Sequence, residues 1–480
     1  IMLELEIFTI EGAEKRILES ELFSSLSGAE RLKSLEKHHY IIHLIIKHNL
    51  VTNTLNRFVK ISSERLKDVL GRNYSAIVKN LVSIKLLVIN DKYSPGSFSK
   101  SYMLDKKMRE VKIIRLTLRS SHMIKKLTKE QESIQKEIDN DELLSKIDRH
   151  TKNLFLFDEA VHFLPPRDEV FHSEINKGFK IRFVSHKDNP NKLFRYEEFR
   201  RGLLDLNKLS PGKINLSLSV FYRPVISNAG RVYHMATSIP KKIRAGLRTK
   251  KMELIYEVDM ASAQPSILIL EWLKHLKENN LINGNKEAEK CLKLLIEGGI
   301  YNYVKDNSVH YGDLEYSDLK KAILTVLNSK DYPSIERDEL IKLFPGFMSW
   351  IRKIKATKGY KEISHIGQSA EAKIFIGTYR ALDPNIFALP IHDCILTTKE
   401  HIELIKGMLI SKTKELYSND LIRQVDLSNL FRTELVSLDN NEISNKNWVK
   451  YIMEEGEGRN NYIEEYGIDY PYEPLQDILK

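Results

Sequence analysis

Two acidic residues far apart in the chain occupy the same unusual setting. In "YEVDMASAQPSILIL" (256–270), Asp259 closes an apolar run, and a small-residue turn carrying Gln264 and Pro265 leads into a second one. In "NIFALPIHDCILTT" (385–398), Asp393 stands beside His392 between two apolar or β-branched stretches, where a tight strand–turn–strand hairpin is expected. A carboxylate among apolar residues is costly unless a cation or hydrogen bonds compensate it. Taken singly, each acid reads as readily as a helix or turn cap. Taken together on neighbouring strand ends, they could hold two divalent cations about 3.5–4 Å apart, the arrangement that activates an attacking hydroxyl and neutralises a leaving pyrophosphate. Magnesium suits such ligands, with manganese the alternative.

Several elements must position these acids. "ELIYEVDM" (253–260) reads as a strand, and Pro265 suits the first turn of the helix that follows, where its missing N–H costs nothing. Helices are predicted at 317–329, 338–356, 367–382 and 399–418, and the hairpin at 386–398. Nearer the N-terminus, 62–104 reads as a capped short helix, a second helix over 74–84, a strand, a Pro-Gly turn and a returning strand. That order is similar to the winged-helix modules of replication initiators and transcriptional regulators, which implies duplex binding by the second helix and the wing; packing or protein interaction is the alternative. A charged helix at 127–150 reads as a connector. The stretch 161–222 carries no clear pattern, and 453–480 holds eight acids against Arg459 and Lys480, an acidic tail.

At 480 residues and 42% hydrophobic content the chain can bury several cores, which suggests two to four domains. The net charge of +10 favours a polyanionic partner, and its distribution says more than the total. Between Leu206 and Met252 there is no acid, whereas Lys208, Lys213, Arg223, Arg231, Lys241, Lys242, Arg244, Arg248, Lys250 and Lys251 are basic. A solvated face mixes signs, so a one-sided run just before Asp259 reads as a phosphate-contacting surface. Cys291 and Cys394 are too few for a disulfide scaffold, and there is no CxxC for zinc. A cytoplasmic protein is expected: no apolar run is long enough to span a membrane, and no signal-peptide layout opens the chain.

The motifs together resemble a family. "VDMASAQPSIL" is similar to motif A of the right-hand nucleic acid polymerases, closest in wording to family B DNA polymerases, and "PIHDCI" to motif C of the family A DNA polymerases and single-subunit phage-type RNA polymerases. "KKAILTVLNSK" (320–330) resembles motif B. "NAGRVYHMATSIPKKIR" resembles the TGR-type motif, "GQSAEAKIF" the Gln-led helix between motifs B and C, and "IEGGIYNYVKDN" the Gly-x-x-(His/Tyr) segment. The order over about 225–400 is that of the family. The resemblance implies an α+β right-hand palm, fingers and thumb fold with an N-terminal winged-helix-like domain. The implied domains are a nucleic-acid-binding domain at 1–125, a connector and thumb-like region at 126–221, a palm at 222–440 with fingers inserted at about 262–365, and the tail at 441–480.

Carried over position by position, the resemblance implies that Asp259 and Asp393 ligate two magnesium ions and that the Met260 backbone carbonyl completes one site. Lys320 would contact the incoming triphosphate and stabilise the leaving group, with Lys321 the alternative one position on. Tyr301, Gln264, Leu324 and Asn328 would surround the nucleotide. Arg231, Lys241, Arg244, Arg248, Gln368 and His392 would contact nucleic acid. Departures stand beside these matches. Tyr316 occupies the place of an Arg, Asn328-Ser329 replaces Tyr-Gly, and Cys394 stands where family A carries a carboxylate. Gln264, at the sugar-selecting position, could obstruct a 2′-hydroxyl or hydrogen-bond one, which leaves sugar choice open. No proofreading acid cluster stands out in 1–220, and no Walker GxxxxGK[ST] is present. The expected activity is primer extension on DNA by a compact DNA polymerase without proofreading, with DNA and nucleoside triphosphates as partners. An RNA polymerase or primase acting on RNA, a template-independent tailing enzyme and a non-catalytic replication initiator are the rivals.

Overall fold

The computed structural model describes residues 5–52, 58–90, 100–109, 111–156, 224–239, 244–417 and 420–437. The unassigned stretch 161–222, Lys241, the Pro-Gly turn after Asn90 and the acidic tail lie outside the described residues. The chain divides into two compact units, 1–223 with 238–246, and 224–237 with 247–480.

In the first unit, strand Glu6–Ile10 pairs antiparallel with Ile113–Thr117, and the long helix Gly28–Thr52 packs on it, with His39 and His43 bonding Thr9 and Phe8. Helix Ser63–Leu70 starts as predicted, because the Ser62 hydroxyl accepts the Arg65 N–H at 3.3 Å. Helix Tyr74–Ser83 follows, and strands Leu87–Asn90 and Ser101–Leu104 form an antiparallel sheet completed by the two-residue strand Val59–Lys60. The expected single helix over 127–150 is two, Ser121–Asn140 and Glu142–Lys152. Asp141 breaks it: its backbone is extended and its carboxylate accepts the Leu144 N–H at 3.0 Å, so capping outcompetes continuation.

The second unit is built on a four-stranded antiparallel sheet in the order Ala388–Ile391, Cys394–Thr398, Ile255–Met260, Phe431–Leu435. The central strand opposes Val258 to Ile395 on one side and to Thr433 on the other. Helices Ala263–Glu278, Lys361–Ala381 and Ile402–Leu416 belong to the same unit, and the third packs against the central strand. Trp272, Phe375, Tyr379 and Phe431 are fully buried, so the core lies between these helices and the sheet. The expected helix over 338–356 is interrupted. It is Ile335–Leu343 followed by Pro345–Lys358, because Pro345 disfavours helical backbone at Phe344, which sits at φ −137° and ψ 64°. The Glu287 carboxylate then accepts the N–H groups of Gly346 and Phe347 at 2.8 and 2.9 Å and caps the second helix from outside it.

Candidate active site

The two acids meet. Asp259, next to last in its strand, pairs in register with Cys394, and the Met260 N–H donates to the Asp393 carbonyl at 3.1 Å. Neighbouring strands lie about 4.8 Å apart, so the acids share one end of the sheet. Both are half-buried. The turn after Asp259 is held from three directions. Besides the Met260 bond, Ala261 N–H donates to Leu430 O at 2.8 Å, and the buried Ser266 hydroxyl donates to Ala261 O at 2.9 Å.

Three residues after Asp259 and immediately before Asp393 stands a residue in the left-handed region, which costs a side-chain-bearing residue about 1–3 kcal/mol. Ser262 precedes the helix at φ 49° and ψ 43°, and His392 opens the two-residue hairpin connection between paired Ile391 and Cys394 at φ 53°. Strain near both acids, with three hydrogen bonds fixing the first turn, marks a geometry that the surroundings over-determine. The His392 ring meets Tyr233 edge-on at 5.4 Å. Beside it, His234 is buried and its Nε2 bonds the Pro390 carbonyl at 2.8 Å; burial pushes its pKa down to about 4.

The nucleotide-side residues fall on three helices, Gln264 on Ala263–Glu278 and the others on Ile300–Asn307 and Tyr316–Asn328. Tyr301, on Ile300–Asn307, is buried, and its hydroxyl is pushed above the usual phenol range first by burial, then by Tyr316 and the Asp393 charge. Its ring meets Tyr316 edge-on at 5.9 Å. Tyr316 opens helix Tyr316–Asn328, on which Tyr316, Lys320, Leu324 and Asn328 recur every four residues along one face. At the far end the Asn328 carbonyl accepts from the Gln264 amide at 2.7 Å and from the Ser364 hydroxyl at 2.7 Å, while its own amide donates to Leu324 O at 2.9 Å. The stripe that carries Lys320 thus meets Tyr301 at one end and Gln264 at the other. Lys320 is exposed and forms no ion pair among the described residues. Lys321 pairs with Asp318 at 2.7 Å and lines a cleft of about 430 Å³ with Thr325, Ser329, Tyr332 and Arg337.

The nucleic-acid residues fare unevenly. Arg231 ion-pairs with the buried Glu371 of helix Lys361–Ala381. The turn that presents it depends on Gly230, at φ +82°, where an added Cβ would stand 3.3 Å from the Ala372 Cβ. Gln368 is half-buried on the same helix. Arg248 departs from the expected basic surface: it is fully buried, its guanidinium donating to Leu247 O at 2.8 Å, so it is removed from any solvent-facing phosphate contact. Arg244 is half-buried and belongs to the first unit.

Sequence reasoning missed Arg432. It opposes Asp259 on the outer strand Phe431–Leu435, and its guanidinium donates to Gly298 O at 3.1 Å. Directly opposed side chains lie on one sheet face, so Arg432 puts a positive charge on the face that carries Asp259. The alternation of "FRTEL" was the available signal. Tyr316 and Ser364 were likewise unassigned.

No group of three or more His, Cys, Asp or Glu side chains able to hold a metal occurs among the described residues. Asp259 and Asp393, half-exposed at one end of the sheet, are nevertheless the kind of ligand magnesium takes, since it keeps several waters and binds through one or two carboxylates plus substrate phosphates.

No protein-family model matches the sequence, and no curated protein matches it. Among solved structures, the chain is similar to the POL domain of Pol1 from M. smegmatis in complex with DNA primer-template and dNTP. That match covers 84% of this chain and 84% of that chain, at a TM-score of 0.38 and 8% sequence identity.

Proposed function

We propose that this chain is a template-directed nucleotidyltransferase, a compact DNA polymerase that joins nucleoside triphosphates to a primer 3′-hydroxyl. One observation supports the reading: the Met260 N–H bonds the Asp393 carbonyl while Asp259 pairs with Cys394, which brings the backbones of two distant acid-bearing motifs together at one end of the sheet. Two magnesium ions held by Asp259, Asp393 and the Met260 carbonyl would activate the primer hydroxyl and neutralise the leaving pyrophosphate. The chain's own groups do the rest. Lys320, exposed on the stripe that joins Tyr301 to Gln264, offers a point charge to the triphosphate. Tyr301 stays protonated because its surroundings oppose a phenolate, so its hydroxyl can donate a hydrogen bond. Gln264, held by Asn328, presents a fixed amide on the nucleotide side.

The test is primer extension with Asp259→Asn and Asp393→Asn. Each is expected to lower magnesium-dependent incorporation by at least roughly a thousandfold, ~4 kcal/mol of barrier, while DNA binding persists. Undiminished incorporation in either variant refutes the site. Wild-type protein that binds primed DNA but incorporates nothing would make the chain a binding protein instead.

A further inference from the structure

We propose that the seam between helices Gly28–Thr52 and Ser121–Asn140 in the first unit is a separate nucleic-acid surface that grips the phosphodiester backbone of duplex DNA through Lys33, Lys37, His122 and Lys126. The inference stands apart from the acid pair, since none of these residues belongs to the catalytic reading.

The arrangement follows from spacing and packing. Lys33 and Lys37 are four residues apart on one helix, and His122 and Lys126 four apart on the other, so each pair shares a face. The two helices pack together, and helix Ser63–Leu70 packs on the second. Lys37 is anchored by donating to the Leu70 carbonyl at 2.5 Å. The acids along the seam are already committed. Glu36 accepts the N–H groups of Arg119 and Ser120 at 2.6 and 3.0 Å, and Glu130 pairs with Arg65 at 2.6 Å and accepts from Tyr40 at 3.0 Å. Among the described residues no acid forms an ion pair with Lys33, His122 or Lys126.

Four cationic or protonatable groups are thus gathered without an ion-paired acid among the described residues. Their repulsion is felt: Lys37 holds its proton less tightly than a free lysine, first through burial and then through Lys33 and Lys126, and His122 is lowered by burial and by the same three lysines. A cluster that costs free energy when empty recovers it when polyanion phosphates dock and counterions leave. An anionic membrane would want apolar side chains beside the charge. The exposed large apolar residues described in this unit are Leu22 and Phe58, on neither helix.

The experiment measures binding of the full chain to a fluorescent duplex by anisotropy across a salt series. The Lys33→Ala/Lys126→Ala pair is expected to flatten the slope of log K against log salt by about 1.8, from about 0.9 per lysine, and to weaken binding roughly sixtyfold at 0.1 M salt. The Lys33→Arg/Lys126→Arg pair keeps the charge and should bind as wild type, so loss there too would mean structural damage and overturn the proposal. An unchanged slope in the alanine pair overturns it. So does loss of binding to phosphatidylserine vesicles with DNA binding intact. The slope is read from binding alone, with no nucleotide incorporated, so failure of the polymerase reading leaves this one separately testable.

Discussion

Acid should loosen the first unit, and the helix Gly28–Thr52 says by how much. His38, His39 and His43 are buried along it. His38 Nδ1 bonds the Ser34 carbonyl at 2.7 Å and Nε2 faces the Asn80 amide at 3.1 Å, a pattern that a neutral ring satisfies with one donor and one acceptor. His39 Nδ1 meets the Thr9 hydroxyl at 2.6 Å, and His43 Nδ1 accepts the Phe8 N–H at 3.0 Å, which a protonated ring could not do. Burial pushes His38 and His39 from 6.5 down to about 4, and His43 well below 6.5. A depressed folded-state pKa means that stability is full above pH 6.5 and is lost as pH falls from there toward 4. At pH 5 each of the first two contributes a loss of ~2 kcal/mol by linkage, ~4 kcal/mol together, a large share of the 5–15 kcal/mol that holds typical domains. Urea unfolding followed by circular dichroism at pH 7.5 and pH 5 reads this directly. His38→Gln keeps a donor and an acceptor without the titration, and should shrink the difference between the two pH values by about 2 kcal/mol. Equal stability at both pH values, or an unchanged difference in His38→Gln, would refute the reasoning.

Three further outcomes follow from the second unit. Lys320→Ala should lower kcat/KM for the triphosphate roughly 10–100-fold, ~1.4–3 kcal/mol, whereas Lys321→Ala, already paired to Asp318 on the other side of the helix, should leave it within about twofold; equal effects in steady-state incorporation would undo the assignment. Gln264→Gly should raise ribonucleotide use in side-by-side incorporation of dNTPs and NTPs, and Asn328→Ala, which releases the Gln264 amide, should move the ratio the same way to a smaller degree. Arg231→Met breaks the ion pair with the buried Glu371 and should cost about 3–5 kcal/mol, while Arg231→Met/Glu371→Met recovers most of it; a melting temperature unchanged in the single variant would contradict a structural ion pair.

Much of this protein was legible from periodicity and local chemistry. The Asp259 strand, the hairpin around Asp393, the helix carrying Lys320 and the helix–helix–strand–strand order after Ser62 all stand where hydrophobic pattern and capping residues put them. These signals are short-range, and they survive because tertiary packing reinforced them. Where a side chain or a proline competed with the pattern, as at Asp141 and Pro345, continuous helices came apart. Strand order, the Met260–Asp393 bond, Arg432 opposite Asp259, the Glu371 partner of Arg231 and the burial of Arg248 were decided only by the tertiary structure. The reason is physical: each is a contact between residues distant in sequence, and a linear pattern records which face is apolar but not which partner covers it.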